Sequence, residues 1–530
     1  MSVVGEIISA MSISIPSRQP NYRFMGYVRP PVKVSEEAPP LFPLRPATRG
    51  LRLGIDVTTM PTPQDGLVSR FLGREEIDVH LMVSPDDSAP AAWIEAIGDP
   101  LIHQIGFTSI ETAKRWLDTV QFGVTTTGKQ KSRRTNVRFF DGYQHLDERA
   151  APPNPAPLTI SQRHRAAAYA AAAAAVGIDA IVTTAPTAGR SDVADNDLVA
   201  SVTPDGAVAL IGHYLRMTAN PDIDVQRGSL VGGGTFEMTE SAATIENFYA
   251  WGVVSGMTYF DCLPMIAASQ GDVETVTAVE SIHVRLMRAA RALDDMLAAL
   301  SNPVRGKRRL DVVETAAEAF DRQLLYLAAA FDIFGRRYPL LIDPARNPRN
   351  FRHSLDGKGY IKGHLEKQYD SETLAGVKRL HVYAGVCKVL RNHIHHGILP
   401  IDHYPGRGYG NRVSIALNVD AMPELMPEAD ERMTPEHYDS LGVWRTHPRA
   451  VVGGDPATVA DLATAGFTLM GAGVALVEEF TKLILLNKPQ NSVTATSPIL
   501  GCIQAQPGKA VPELPERAEL YQALFGWHSA

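Results

Sequence analysis

Cysteine is scarce in this sequence: three residues in 530, Cys262, Cys387 and Cys502, lie far apart with no CxxC pair. That spacing excludes a disulfide framework and a thiolate zinc motif, and it fits a reducing compartment. Basic residues are not in excess either. Lys plus Arg number 51 against 58 Asp plus Glu, a formal charge of -7, so any nucleic-acid contact has to be a local basic patch on an acidic chain. There is no bilayer-length apolar run. The most apolar long stretch, 463–486, is interrupted by Glu478, Glu479 and Lys482, as in a buried helix. The opening residues, MSVVGEIISAMSISIPSRQP, lack the basic start, apolar run and small-residue cleavage site of a secretory signal. The expectation is a cytoplasmic chain with no membrane contact.

With 530 residues, 45% of them hydrophobic and 21% charged, the chain is long enough for several globular cores and should fold. Residues 1–48 are punctuated by proline (RPPVKVSEEAPPLFPLRP) and read as an extended arm. Residues 49–225 read as a three-layer α/β domain. LRLGIDVTT (51–59) and IDVHLMV (77–83) have strand character, and TSIETAKRWLDTV (108–120) has the spacing of a helix. An alanine-rich helix then runs from about Ser161 to Gly177, followed by a buried strand at 180–184 and a second strand at 198–202. Thr203-Pro204-Asp205 opens the helix AVALIGHYLRM. A glycine-rich linker, 226–240, separates this domain from a helical half, 241–490. Helices are expected at 241–269, 273–300, 310–337, 371–397 and 457–486, the last capped by Asp455 with Pro456 in its first turn. Irregular insertions are expected at 343–370 and 399–451, and 491–530 reads as a C-terminal tail. The fold class is therefore α+β and multidomain, an α/β domain followed by an all-α bundle.

The stretch VLRNHIHHGILP (389–400) carries the densest chemistry. At about 100° per residue, Tyr383, Val386, Cys387, Leu390, Ile394 and Ile398 share an arc of roughly 120°, which is a core face. Lys388, Arg391, Asn392, His395 and His396 share a separate arc of roughly 140°. Arg391 and His395 are one turn apart, as are Asn392 and His396, so these side chains can converge. Gly397 and Pro400 end the helix. An arginine clamps phosphate, an amide orients it and an imidazole moves protons, which is what RNA cleavage by the ribose 2′-hydroxyl requires, with no metal or cofactor.

The run Arg391-Asn392-His393-Ile394-His395-His396-Gly397 resembles the Arg-Asn-x-Ile-x-His-Gly form of the Arg-x4-His signature of the HEPN superfamily. The resemblance implies a helical bundle, homodimerisation or higher homo-oligomerisation that joins two motifs in one cleft, and metal-independent endoribonuclease activity producing 2′,3′-cyclic phosphate ends. By the same resemblance Arg391 and His396 are the catalytic pair and Asn392 supports them. His395 and Lys388 are possible supporting residues. Such domains serve as toxins or antiphage effectors, which implies an inhibitory or activating partner protein beside the RNA substrate. The alternative is a non-catalytic scaffold of HEPN type that binds nucleic acid or protein.

Other candidates are weaker. His393, His395, His396 and His403 offer imidazoles for a metal, but His393 points away from its neighbours on the wheel and Arg391 repels a cation. Arg407 and Tyr409 in GRGYGN follow the motif helix closely enough to touch RNA. Basic runs at 129–138 and 305–309 could contact phosphate or simply be solvated, and Arg349–His353 lacks a helix that would gather its side chains. Gly123–Gln130 nearly spells a phosphate loop, but Gln130 stands where a hydroxyl should hold magnesium. Asp56, Asp141 and Asp179 resemble the acids of PIN-like nucleases in type, without an acidic constellation around them. The α/β domain is expected to sense a signal, bind a partner or dock the substrate.

Overall fold

The computed structural model describes residues 50–63, 71–72, 74, 76–83, 90–97, 106–111, 119–126, 129–138, 158–190, 199–218, 222–229, 235–241, 245–301, 310–342, 355, 359, 361–405, 413–426, 431–446, 456–487, 493–497, 501–505 and 516–529. They belong to two units, residues 1–219 with 407–412 and residues 220–406 with 413–530. The arm 1–48 lies outside the described residues.

In the first unit, LRLGID forms β1 (Leu51–Asp56), buried at every position because a strand inside a parallel sheet is covered on both faces. It pairs in parallel with β2 (Ile77–Val83) on one side and β6 (Ala180–Val182) on the other. β3 (Gly106–Glu111) extends the parallel array beyond β2, and β7 (Ala200–Val202) extends it beyond β6. β4 (Thr119–Thr126) and β5 (Lys129–Arg138) add antiparallel strands, giving the order β5-β4-β3-β2-β1-β6-β7.

Helix α1 (Pro90–Ile97) follows β2. The alanine-rich segment is α2 (Ile160–Val176), closed at its start by a Thr159–Gln162 capping box and at its end by Gly177 at φ 78°, a left-handed position suited to glycine. Its Tyr169, Ala172, Ala173 and Val176 pack with Met82, Ile110 and Ile181 of the sheet. Helix α3 (Pro204–Met217) starts at Thr203, whose hydroxyl accepts from Gly206 N.

Two readings of this region change. The helix expected at 108–120 is replaced at both its ends by strand, Thr108–Glu111 in β3 and Thr119–Val120 in β4, because sheet pairing overrides a helical spacing that is only local; 112–118 lie outside the described residues. Of the would-be phosphate loop 123–130, residues 123–126 lie in β4 and 129–130 begin β5, with Thr126 opposite Lys129, so a strand follows where a phosphate loop needs a helix. The basic run 129–138 is β5, the edge strand.

In the second unit, residues 226–229 and 235–240 of the expected linker lie in paired antiparallel strands, β8 (Asp222–Ser229) and β9 (Thr235–Ser241). The single helix expected at 241–269 is two, α4 (Ile245–Val254) and α5 (Thr258–Ser269). The carboxylate of Glu478 accepts from the first amides of α5, Tyr259 N at 2.8 Å and Phe260 N at 3.0 Å, and so fixes the break. Helices α6 (Val273–Leu300) and α7 (Leu310–Ile342) form a long pair, and α8 (Ala375–His396) packs on α7.

Residues 399–451 were expected to be irregular, within an all-α bundle. They supply β10 (Ile401–Pro405), β11 (Val413–Asn418), the short helix α9 (Pro435–Ser440) and β12 (Val443–Arg445). With β13 (Thr458–Asp461) the strands make an antiparallel sheet of order β10-β11-β13-β12. The last long helix, α10 (Leu462–Asn487), accordingly starts later than the Asp455-Pro456 signal suggests. Asp461 caps it, accepting from Thr464 N at 2.8 Å.

α10 reaches the long helices through small residues. A Cβ on Gly466 would stand 2.5 Å from Met296 Cε, and Gln323 Nε2 donates to Gly466 O at 2.7 Å. The expected tail instead holds the hairpin β14 (Val493–Ser497) and β15 (Gly501–Ala505), then α11 (Glu516–Phe525). Tyr521 and Phe525 of α11 meet Phe248, Tyr249 and Trp251 of α4 edge to face, a geometry favoured by ring quadrupoles.

Candidate functional site

α8 carries the Arg391–Gly397 motif in its last turns, and its burial pattern separates two faces. Val386, Cys387 and Leu390 are buried, while Tyr383 and Ile394 are half-buried. Val386 and Leu390 line an apolar cavity with Leu417, Leu425, Leu441 and Leu469, so the motif helix is seated on the small sheet and α10. The Tyr383 hydroxyl lies 2.7 Å from Ser440 Oγ. Ile398 departs from the expected core face and is 90% exposed. Gly397 adopts φ 177°, an extended conformation, so the chain leaves the helical path before Ile398 and turns into Leu399, which is buried, and then β10.

The polar face is at the surface. Asn392, His395 and His396 are exposed and Arg391 is half-buried. None of the four has a hydrogen bond or ion pair among the described residues. Lys388, half-buried one turn earlier, is engaged with its surroundings. His393 diverges from them: its Nε2 lies 3.4 Å from Glu424 Oε2, a residue of the 3-10 turn Pro423–Leu425. The Glu424 carboxyl is held below its ordinary value, first by its own backbone amide and then by His393.

His403 is on β10 with its side chain 1% exposed, and its Nδ1 is 3.3 Å from Asp402 Oδ1. The four histidines therefore do not gather, and no group of three or more metal-ligating side chains forms among the described residues. Arg407, Tyr409, the 305–309 run, Arg349–His353 and Asp141 lie outside the described residues.

A second polar cluster, in the first unit, joins residues far apart in sequence. Asp56 ends β1 and is fully buried. Its carboxylate accepts from Thr58 Oγ1 at 2.7 Å, Thr183 Oγ1 at 2.6 Å and the Arg165 guanidinium. Burial alone would raise the Asp56 carboxyl, but the hydrogen bond and charge of Arg165, with Thr183 and Thr58, hold it below the usual carboxylate value. Arg165 also donates to Thr58 Oγ1 at 2.5 Å and stacks 4.1 Å above the Tyr169 ring. Thr59 Oγ1 is 2.9 Å from Thr183 Oγ1, which links the ends of the two strands.

Asp179 is not part of this cluster. The β1–β6 register places it beside Arg52, whose amide donates to its carboxylate at 2.9 Å, about 13 Å along the strands from Asp56. Two of the three acids considered from sequence, Asp56 and Asp179, thus lie at opposite ends of the paired strands. Sequence reading named Asp56 but missed Arg165, Tyr169, Thr58 and Thr183. The one available signal was the repeated Val-Thr-Thr at the ends of two buried strands, 57–59 and 182–184.

Comparison with protein families, with curated proteins and with solved structures finds no match to this chain.

Proposed function

We propose that the chain is a metal-independent endoribonuclease of the HEPN type, acting as a homodimer and serving as a toxin or antiphage effector. The observation that carries this reading is the set Arg391, Asn392, His395 and His396, gathered at one solvent-facing helix end with no bond to any described residue. A helix end built for stability alone would use such groups on its own carbonyls or on neighbouring acids, as His393 does with Glu424. The open position of Ile398 beside them gives an apolar contact for a second copy.

In the reaction, His396 accepts the proton of a ribose 2′-hydroxyl as its oxygen attacks the adjacent phosphorus. Arg391 stabilises the charge that develops on the phosphoryl oxygens, and Asn392 orients the phosphate. The P–O5′ bond breaks, the leaving 5′-oxygen takes a proton from water, and the other fragment ends in a 2′,3′-cyclic phosphate. The helical half, 241–490, would carry the chemistry and the α/β domain its control. The test is incubation of the purified chain with RNA in excess chelator. Cyclic phosphate ends that vanish in Arg391→Ala and His396→Ala support the reading; intact RNA, or cleavage that survives His396→Ala, overturns it.

A further inference from the structure

The strand order of the first unit reverses direction at one place. From β1 the chain builds outward to β2 and β3 on one side, then returns through α2 to lay β6 and β7 on the other. The gap beyond the carboxyl ends of β1 and β6 is a topological switch point, where the connections diverge and leave a crevice in open α/β sheets. The Asp56–Arg165 cluster sits at this point. β1 ends at Asp56, and β6 runs into Thr183 and Thr184.

Proton accounting shows what the cluster presents outward. The single protons of Thr58 and Thr183 go to Asp56, so Tyr169 donates to Thr58 across 3.2 Å, and the Thr59 proton is shared between Thr183 Oγ1 at 2.9 Å and Asp56 O at 3.3 Å. The carboxylate is thereby saturated and enclosed, unable to serve as a base or a metal ligand without breaking these bonds. Arg165 differs. Its Nη2 serves Asp56 and Thr58, while Nε and Nη1 have no partner among the described residues. Its side chain is 25% exposed and is held flat by Tyr169. Thr58 and Thr184 are exposed at the ends of the two strands, with their hydroxyl protons on Asp56 and on Thr59 O at 3.1 Å. A guanidinium braced by a buried acid and a ring, with two N–H groups unused by any described residue, is a pre-organised oxyanion fork.

We infer that the β1–β6 crevice of the first unit binds the phosphate group of a small ligand, through the Nε–H and Nη1–H groups of Arg165 that no described residue uses. The site is separate from the proposed nuclease residues, and its occupancy is read without any RNA cleavage.

The test is calorimetric titration of the full-length chain carrying Arg391→Ala, so that the helix-end guanidinium contributes nothing. The probes are inorganic phosphate, adenosine 5′-monophosphate and adenosine. Both phosphates should bind and adenosine should not. Arg165→Lys keeps a charge against Asp56 but loses the planar fork, and should weaken binding by about tenfold or more with the fold retained by circular dichroism. Thr184→Val, whose hydroxyl is committed to Thr59 O, should leave binding within a few-fold of the parent. Absence of binding by either phosphate overturns the inference, as does binding that is unchanged in Arg165→Lys or equal binding of adenosine.

Discussion

His393 faces Glu424 across 3.4 Å, whereas His395 and His396, two and three residues further along the same helix, are bonded to nothing described. The contrast divides the histidines into one that secures the helix end and two that are available for chemistry. His393→Ala should therefore cost under about 1 kcal/mol, as expected for a partly exposed ion pair, and leave any RNA cleavage within a few-fold of wild type. His396→Ala should lower cleavage by about two to four orders of magnitude without shifting the melting temperature. A His393→Ala variant as inactive as His396→Ala would remove this division.

Asp56 and Arg165 should be coupled. Removing the guanidinium by Arg165→Met leaves a buried carboxylate unpaired, which costs about 3–5 kcal/mol. The double variant Asp56→Asn/Arg165→Met should recover much of that loss in urea unfolding. The Asp56 carboxyl is depressed, so the pair's contribution is present above the ordinary carboxylate value and is lost as pH falls through the folded one.

Gly252 lies where α4 meets the C-terminal segment, and a Cβ there would stand 2.0 Å from Phe525 Cε2. Phe525 cannot yield, being held between Tyr249 and Trp527. Gly252→Ala should destabilise the second unit by about 1–3 kcal/mol and expose α11 to limited proteolysis. Resistance equal to wild type would show that the aromatic contact is dispensable.

Much of the local structure was legible because local rules decide it. Gly177 ends α2 as expected, and periodic apolar positions bound α6 at the residues expected. What was not legible depends on pairing between distant segments. Residues 108–111 have helical spacing yet lie in β3, and β10, β11, β12 and β13 become a sheet only when brought together across the chain. The same holds for the two clusters. Arg391 to His396 are contiguous and could be read as a site, whereas Asp56, Arg165 and Thr183 meet only through the strand order.

Glu478 gives the second unit a pH dependence. Burial pushes its carboxyl up to about 7, against the two amides of α5 that favour its charged form. Its folded value exceeds the unfolded 4.5, so the stabilisation it confers is fully present below 4.5 and is lost as pH rises through about 7. His80 and His528, pushed down to about 4 by burial, act oppositely: their contribution is present above 6.5 and lost as pH falls through about 4. Glu478→Gln, compared with wild type by unfolding between about pH 5 and pH 8, should remove the loss of stability on the alkaline side. Parallel profiles for the two proteins would contradict this assignment.

The most direct measurement is the chemistry of the RNA ends left by the purified full-length chain in excess chelator. We expect 2′,3′-cyclic phosphates from the wild type and none from Arg391→Ala or His396→Ala, each as stable as wild type. RNA left uncut by the wild type, or cut equally by the His396→Ala variant, would contradict the assignment of a ribonuclease centre to the end of α8.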